Sequence, residues 1–129
     1  MKDIVEIHKA LGDETRLRIL RLLLFSKKEL CSCELVDSLE ERQYNVSRHL
    51  KILKKAGLVD EREEGRWVYS FIAAKPDAHT KGLFKAILHI PETARLHKDA
   101  ENMNRRLAMR ENGKCLKGIQ NLKLAGRES

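Results

Sequence analysis

The chain has 129 residues, of which 42% are hydrophobic, 5% aromatic and 35% charged, and its formal net charge is +7. This size excludes a doubly wound nucleotide-binding enzyme and a (β/α)8 barrel, and it predicts one α-rich domain whose small core would gain from dimerisation. No apolar run approaches the roughly 18 residues of a membrane span, and no basic-then-apolar leader opens the sequence, so we expect a cytoplasmic protein without a membrane partner.

Apolar residues recur at helical spacing through the first half of the chain. Four helices are predicted there, over residues 4–11, 13–25, 33–39 and 44–55. Gly12 ends the first helix, and Asp13 is placed to cap the second. The third and fourth helices are separated only by the polar residues 40–43. Two helices joined by a short polar turn predict a helix-turn-helix, whose second helix enters the major groove of DNA.

A β-hairpin is predicted directly after these helices. Residues 58–63 and 66–72 have the composition of two strands, with β-branched and aromatic residues in the second, and Gly65 lies at the turn between them. Trp67, Tyr69 and Phe71 alternate along the second strand and are expected to fill the core beneath it. The predicted fold is therefore mainly α with a small β-hairpin, a winged helix-turn-helix.

The last third of the chain is predicted to be helical and then irregular. One helix follows Pro76 to about His89, Pro91 breaks or kinks it, and a second spans residues 92 to about 111. Residues 114–129 are polar and basic, and we expect a mobile tail. The predicted organisation is a DNA-binding and dimerisation domain over 1–90, followed by a helical extension and tail over 91–129.

The positive charge is unevenly distributed. Residues 1–94 contain 17 basic and 15 acidic side chains, a surplus of 2, whereas residues 95–129 contain 9 and 4, a surplus of 5. An excess of lysine and arginine predicts an anionic partner, and for a small domain nucleic acid is the first candidate. Because most of the surplus lies outside the helix-turn-helix, the net charge alone does not locate a binding site.

Three cysteines, Cys31, Cys33 and Cys115, are an odd count that favours reduced thiols over a disulfide framework. Within an α-helix a spacing of two turns side chains ~200° apart, but Cys31 and Cys33 fall where an extended stretch meets a helix start, and there they can converge. The helix dipole favours thiolate at that position. Soft thiolates select soft ions, so trivalent arsenic or antimony, cadmium, lead and zinc are all admissible.

Three stretches of the sequence resemble the ArsR/SmtB family of metal-responsive repressors. They are residues 11–20 (LGDETRLRIL), 29–35 (ELCSCEL) and 46–59 (VSRHLKILKKAGLV), the last leading into the predicted hairpin. The resemblance covers roughly residues 5–90. It implies a homodimer formed by the first and last core helices, which binds double-stranded operator DNA and releases it when a metal or metalloid binds.

The second helix of the predicted motif has hydrogen-bond donors on the side expected to be exposed, at Asn45, Ser47, Arg48, His49 and Lys51. The fork of Arg48 suits guanine and the amide of Asn45 suits adenine, while Ser47 and Lys51 suit phosphates. His49 either contacts DNA or packs beside the turn. In the hairpin, Arg62 and Arg66 flank the turn, and Arg66 is the preferred DNA contact because it begins the return strand.

The 29–35 stretch resembles the arsenite-sensing members of the family, in which thiolates on the helix-turn-helix bind trivalent arsenic or antimony. Val36 stands here where those members often have a third cysteine, so two thiolates are a short ligand set. We predict a metalloid site at Cys31 and Cys33, with Cys115, a small thiol or a hydroxide as third ligand. Zinc, cadmium or lead as inducer, and oxidation of Cys31 with Cys33 to a disulfide, remain open alternatives.

Two other possibilities are weaker. Asp77, His79, His89 and Glu92 resemble the zinc site of some family members, but the two histidines are one residue closer than in that pattern, which rotates the second pair by ~100° on a helix, and Pro91 interrupts the motif. A thiol redox enzyme would need a thioredoxin-like strand-helix context and usually Cys-x-x-Cys, which the sequence lacks. We therefore expect no enzymatic activity.

Overall fold

The computed structural model describes residues 1–73 and 77–126. The six helices found there are α1 (Lys2–Leu11), α2 (Glu14–Ser26), α3 (Ser32–Leu39), α4 (Gln43–Lys55), α5 (Ala78–Leu88) and α6 (Ala94–Leu107), and the strands are β1 (Leu30–Cys31), β2 (Val59–Glu64) and β3 (Trp67–Ile72). The start of α5 lies within the described part, whereas Pro76 and the last three residues of the predicted tail lie outside it. The winged helix-turn-helix prediction is confirmed.

Helix boundaries follow the capping residues in the sequence. Asp13 accepts a hydrogen bond from the Arg16 backbone amide at 3.1 Å at the start of α2, as predicted. Thr93 begins α6 in the same way, accepting from the Leu96 amide at 3.2 Å. Because each cap satisfies an otherwise unpaired amide, these residues fix where the helices start. Pro91 falls between α5 and α6, where a helix break was predicted.

The sheet has one strand more than predicted. β2 and β3 form the antiparallel hairpin with Val59 opposite Ile72 and Glu64 opposite Trp67. The two-residue strand β1 pairs antiparallel with β3, which places Cys31 opposite Tyr69. A strand this short has no alternating pattern to detect in a sequence, so only the pairing partner reveals it.

The core lies around α2. Side chains from α2, α3, α4 and the sheet edge form one apolar cluster with almost no solvent exposure, including Ile19, Leu20, Leu23, Leu35, Leu39 and Leu53. Burial of each such side chain contributes roughly 1.5–3 kcal/mol, so this cluster holds the helix-turn-helix against the rest of the domain. A second, smaller cluster contains the three cysteines and Tyr69, with Trp67 and Ile119 packed against it.

The segment after α6 folds back onto the domain. Residues 114–126, expected from composition to be a mobile tail, lie against α3 and the start of α4, and Cys115 within them is only 1% exposed. No described helix has the length and apolar character needed to cross a bilayer.

Candidate DNA-reading helix and thiol site

The second helix of the motif, α4, presents the predicted polar face. Val46, Leu50 and Leu53 are buried against the core. Ser47, Arg48 and Lys51 are exposed, and Asn45 is half-buried. The helical period of 3.6 residues separates these two groups, because anchoring one face in the core turns the other outward.

His49 is an exception, and the expectation that it is exposed is wrong. It is 5% exposed, and the Arg16 guanidinium donates a hydrogen bond to its Nδ1 at 3.0 Å. Asp13 Oδ1 lies 3.8 Å from the same nitrogen. Burial lowers the pKa of His49, and the nearby Arg48 and Arg16 charges lower it further, against the opposing effect of Asp13. His49 therefore packs beside the turn of α1 and α2 as a neutral ring.

The hairpin places its two arginines differently. Arg62 forms ion pairs with Glu29 and Glu64, so its charge is already neutralised. Arg66 is exposed beside Gly65, whose φ of 62° suits glycine at a tight turn, and its guanidinium stacks 4.7 Å from the Trp67 ring centre. The structure thus leaves Arg66, the preferred residue in the sequence, as the arginine with the less committed charge.

The three cysteine sulfurs come together in one buried group. Cys31 Sγ lies 3.0 Å from Cys33 Sγ, and Cys33 Sγ lies 3.3 Å from Cys115 Sγ. All three sulfurs lie within 4.8 Å of one another. Cys31 ends β1 and precedes the first residue of α3, so the pair sits at the junction of strand and helix where convergence was predicted. Tyr69 supports the third thiol, because its hydroxyl accepts a hydrogen bond from the Cys115 amide at 3.0 Å.

Two arginines, one in the last turn of α6 and one just after it, hold the returning segment in place. Arg110 donates to both carboxylate oxygens of Glu34 at 2.7 Å. Arg106 donates to Asp37 at 2.7 Å and to the Gly118 carbonyl at 2.9 Å. Both acidic partners lie on α3, so these buried and half-buried ion pairs set the distance between the end of α6 and the helix that carries the cysteine pair.

These four charged residues were not predicted from the sequence. The arginines are spaced i, i+4 within the region predicted to be the last helix, and the acids are spaced i, i+3 on another, so each pair shares a helix face. The sequence showed basic residues on one face of one helix and acidic residues on one face of another. That pattern is compatible with ion pairs between the two helices, but it does not identify which helices pack together.

The three thiols shift one another's pKa values. Hydrogen bonds from Cys31 and Cys33 lower the pKa of Cys115, and the nearby positive charge of Arg106 lowers it further. Hydrogen bonding to Cys115 and burial raise the pKa of Cys31 to about 11, and they raise the pKa of Cys33 as well. The thiol whose ionised form is favoured is thus Cys115 and not the pair at the start of α3, where the sequence predicted a thiolate.

The alternative zinc residues do not assemble within one chain. His79 Nε2 lies 3.2 Å from His8 Nε2, whereas the His89 ring contacts the Lys85 carbonyl of its own helix. Across the described residues, Cys31, Cys33 and Cys115 are the one group of three or more potential metal ligands.

A recognition helix with an exposed donor face, a hairpin wing beside it and a buried thiol cluster define a DNA-binding transcriptional regulator. A family model described as "Bacterial regulatory protein, arsR family" matches residues 13–61, from the cap of α2 into β2. An uncharacterized HTH-type transcriptional regulator of Methanocaldococcus jannaschii is 44% identical over 82 residues, which are 64% of this chain and 88% of that protein. The chain belongs to the ArsR family.

Relatives with named roles are named for resistance to different elements. The arsenical resistance operon repressor of Escherichia coli is 45% identical over 65 residues, 50% of this chain and 55% of the repressor. A cadmium resistance transcriptional regulatory protein CadC homolog of Staphylococcus aureus is 38% identical over 93 residues, 71% of this chain and 74% of that protein. These relatives are transcriptional regulators and not enzymes, and the match spans about half of the Escherichia coli repressor.

The fold is similar to that of a solved regulator. HlyU from Vibrio cholerae N16961 superimposes with a TM-score of 0.58 and 32% sequence identity, over 67% of this chain and 88% of that one. The shared region is the winged helix-turn-helix.

Proposed function

We propose that this ArsR-family regulator is a homodimeric repressor that releases its operator when trivalent arsenic or antimony binds Cys31, Cys33 and Cys115. The observation that carries the proposal is the approach of three buried sulfurs to within 4.8 Å of one another. The pair comes from the start of the helix-turn-helix and the third from the returning C-terminal segment. Ligand binding at this point therefore acts on two elements at once.

The chemistry of three thiols suits a trivalent metalloid. Arsenous acid, As(OH)3, condenses with three thiols to form three As–S bonds and release three molecules of water. Where one sulfur is already a thiolate, its hydroxyl partner takes a proton from solvent. No electron is transferred. The product carries no net charge, and this favours a site whose cysteines are 1–7% exposed, because burying an uncompensated charge is costly.

Divalent ions fit this donor set less well. Zinc in structural sites is held almost always by four ligands, and no fourth His, Cys, Asp or Glu joins the cluster among the described residues. Three thiolates around a divalent ion also leave a net negative charge. The nearby cation Arg106 already pairs with Asp37 at 2.7 Å. The number of ligands thus argues against zinc, and the negative charge left on the complex argues against cadmium and lead.

Two routes lead from the thiols to the recognition helix. Cys31 precedes α3, and its amide donates to Glu34 Oε1 at 2.9 Å, so drawing the sulfurs together acts on the start of the first motif helix. Cys115 begins the segment whose Leu124 carbonyl accepts from the Gln43 amide at 2.7 Å, at the first residue of α4. A ligand shifts an equilibrium only when it has different affinities for two conformations. We infer that these two contacts differ between the DNA-binding and the ligand-bound conformation, which makes the affinities differ.

Exposed apolar residues on α1 support the dimer. Ile4 is 39% exposed and Val5 is 44% exposed. Partly exposed apolar side chains on an amphipathic helix are a suitable interface for a second copy. Two recognition helices related by a two-fold axis would then read an inverted repeat, one half-site each.

The test is fluorescence anisotropy of a labelled operator duplex with increasing arsenite. Wild-type protein is expected to bind and then to release. Cys31→Ser and Cys33→Ser are expected to bind DNA with wild-type affinity and to remain bound, while Ser32→Ala, the matched control between them, releases normally. Parallel titrations with antimonite, cadmium, zinc and peroxide separate the alternatives. Unchanged release by arsenite in both cysteine variants contradicts the proposal, and release of the wild type by cadmium alone reassigns the inducer.

A further inference from the structure

The C-terminal segment, residues 114–126, is more basic than the wing. It contains three lysines, Lys114, Lys117 and Lys123, and no acidic residue. Residues 59–66 of the hairpin contain four acidic residues and two arginines, a net charge of −2. Phosphates attract positive charge, so the wing by itself is a poor phosphate-binding surface and the C-terminal segment a favourable one.

The structure places this segment at the start of the recognition helix. Besides the bond between the Leu124 carbonyl and the Gln43 amide, the Arg42 guanidinium donates to the Lys123 carbonyl at 3.2 Å. Further back, the Gln120 amide donates to Asp37 on α3 at 3.0 Å. The segment is therefore held through its own backbone groups by residues of α3 and of the start of α4, which leaves its lysine side chains available.

A cleft connects the segment to both predicted DNA-contacting elements. Its volume is about 510 Å³, and its lining includes Gln43 and Ser47 from α4, Arg66 and Trp67 from the wing, and Ile119 and Ala125 from the segment. The segment thus lies on the same side of the domain as the recognition helix and the wing, and it borders the space between them.

Two of the three lysines have uncommitted charges. Lys117 and Lys123 are exposed, and neither amine forms an ion pair with any residue in the described ranges 1–73 and 77–126. Lys114 differs, because its amine lies 3.7 Å from Glu64. Both lysines therefore have an available ammonium group. Lys123 lies beside the start of the recognition helix, and Lys117 directly precedes Gly118, which lines the cleft shared with that helix and the wing.

We propose that the C-terminal segment is a third DNA-contacting element, in which Lys117 and Lys123 bind phosphates of the operator backbone next to the recognition helix. It supplies the positive charge that the acidic wing lacks. The contact is independent of operator sequence, because ammonium groups bind phosphates as point charges. The inference concerns DNA binding by the ligand-free protein and does not depend on the identity of the inducer.

The test is the salt dependence of DNA affinity. The double variant Lys117→Gln with Lys123→Gln is compared with Lys81→Gln with Lys85→Gln, which removes two exposed lysines from α5. The probe is a duplex selected by the wild-type protein from a random-sequence library, and affinity is measured by anisotropy over a range of KCl concentrations. Removing one lysine–phosphate interaction reduces the slope of log K against log salt by about 1.

We expect the Lys117 and Lys123 double variant to bind more weakly at low salt, with a slope smaller by about 1 for each lysine in each protomer. Its preference among single-base variants of the duplex is expected to be unchanged. The α5 control should keep the wild-type slope. A wild-type slope in the double variant, or an equal decrease in the control, overturns the proposal. Arsenite titration of both proteins monitors the thiol site separately, so failure there concerns the inducer and not this surface.

Discussion

Asp99→Asn is the substitution that most directly tests how the helix-turn-helix is held against α6. Asp99 is 1% exposed and Arg18 is 5% exposed. The Nε and Nη2 atoms of Arg18 each donate to one oxygen of Asp99 at 2.9 Å, and Nη2 also donates to the Leu39 carbonyl at 2.7 Å. Since Leu39 ends α3, this buried pair links α2, α3 and α6.

The size of the stability loss follows from the positive charge that remains buried on Arg18. Removing one partner of a buried ion pair costs roughly 3–5 kcal/mol, and here Glu41, 3.6 Å from Arg18 Nη1, compensates in part. We therefore expect the low end, about 3 kcal/mol. Unfolding entropy of about 2.1 cal/mol/K per residue gives about 0.27 kcal/mol/K for this 129-residue chain. The melting temperature should fall by about 11 °C.

Thermal unfolding followed by circular dichroism measures this, at one protein concentration because dimerisation raises apparent stability. Glu101→Gln is the matched control on the same helix, where the side chain is 51% exposed and the expected cost is below about 0.5 kcal/mol. Replacing both partners, as Arg18→Met with Asp99→Leu, should recover most of the loss. A decrease of less than about 4 °C for Asp99→Asn would refute the reasoning.

Three further predictions concern function and pH. Arg48→Ala should weaken operator binding by about 1–3 kcal/mol and relax the preference at one base pair; equal weakening on all single-base variants argues against base contact. Ending the chain after Ile119 keeps all three thiols, so arsenite should still bind, as measured by the absorption of the arsenic–thiolate bonds, but the ratio of DNA affinity without arsenite to DNA affinity with arsenite should fall. The control variant lacks only residues 127–129. A wild-type ratio in the chain that ends at Ile119 would exclude the C-terminal segment as a route from the thiols to α4. Burial lowers the pKa of His49 below its ordinary value of 6.5, so the unfolded chain binds the proton at a higher pH than the folded one. The free energy of unfolding should therefore decline as pH falls below about 6.5. Urea unfolding of His49→Gln should show a smaller decline than the wild type, and identical pH profiles would contradict this reasoning.

Local sequence determined the helix-turn-helix and two of the three cysteines of the thiol cluster. The alternation of apolar and polar residues over Gln43–Lys55 specifies which face of α4 is buried, because a regular helix fixes every side-chain direction once one is anchored. The two-residue spacing of Cys31 and Cys33 at a strand-helix junction likewise predicted their convergence. Both conclusions depend on residues within a few turns of one another.

Contacts between residues far apart in the sequence could not be predicted in this way. The donor pattern of α4 made His49 equivalent to its exposed neighbours, yet Arg16, which is 33 positions away, holds it in a buried pocket. Likewise β1 exists only because β3 lies beside it. In each case the deciding partner is remote in the chain.

For the thiol cluster too, the position of Cys115 was decided by the tertiary structure and not by the local sequence. From the sequence alone, the odd third cysteine and the basic surplus after residue 95 were consistent with a mobile thiol in a charged tail. The tertiary structure brings Cys115 to 3.3 Å from Cys33, 82 positions away, through the ion pairs of Arg106 and Arg110 with acidic residues of α3. Residue type and spacing determined which chemical groups this protein has, but the packing of α6 on α3 decided which of them meet. Such contacts require a long stretch of chain to bring its ends together, and no local sequence pattern specifies that.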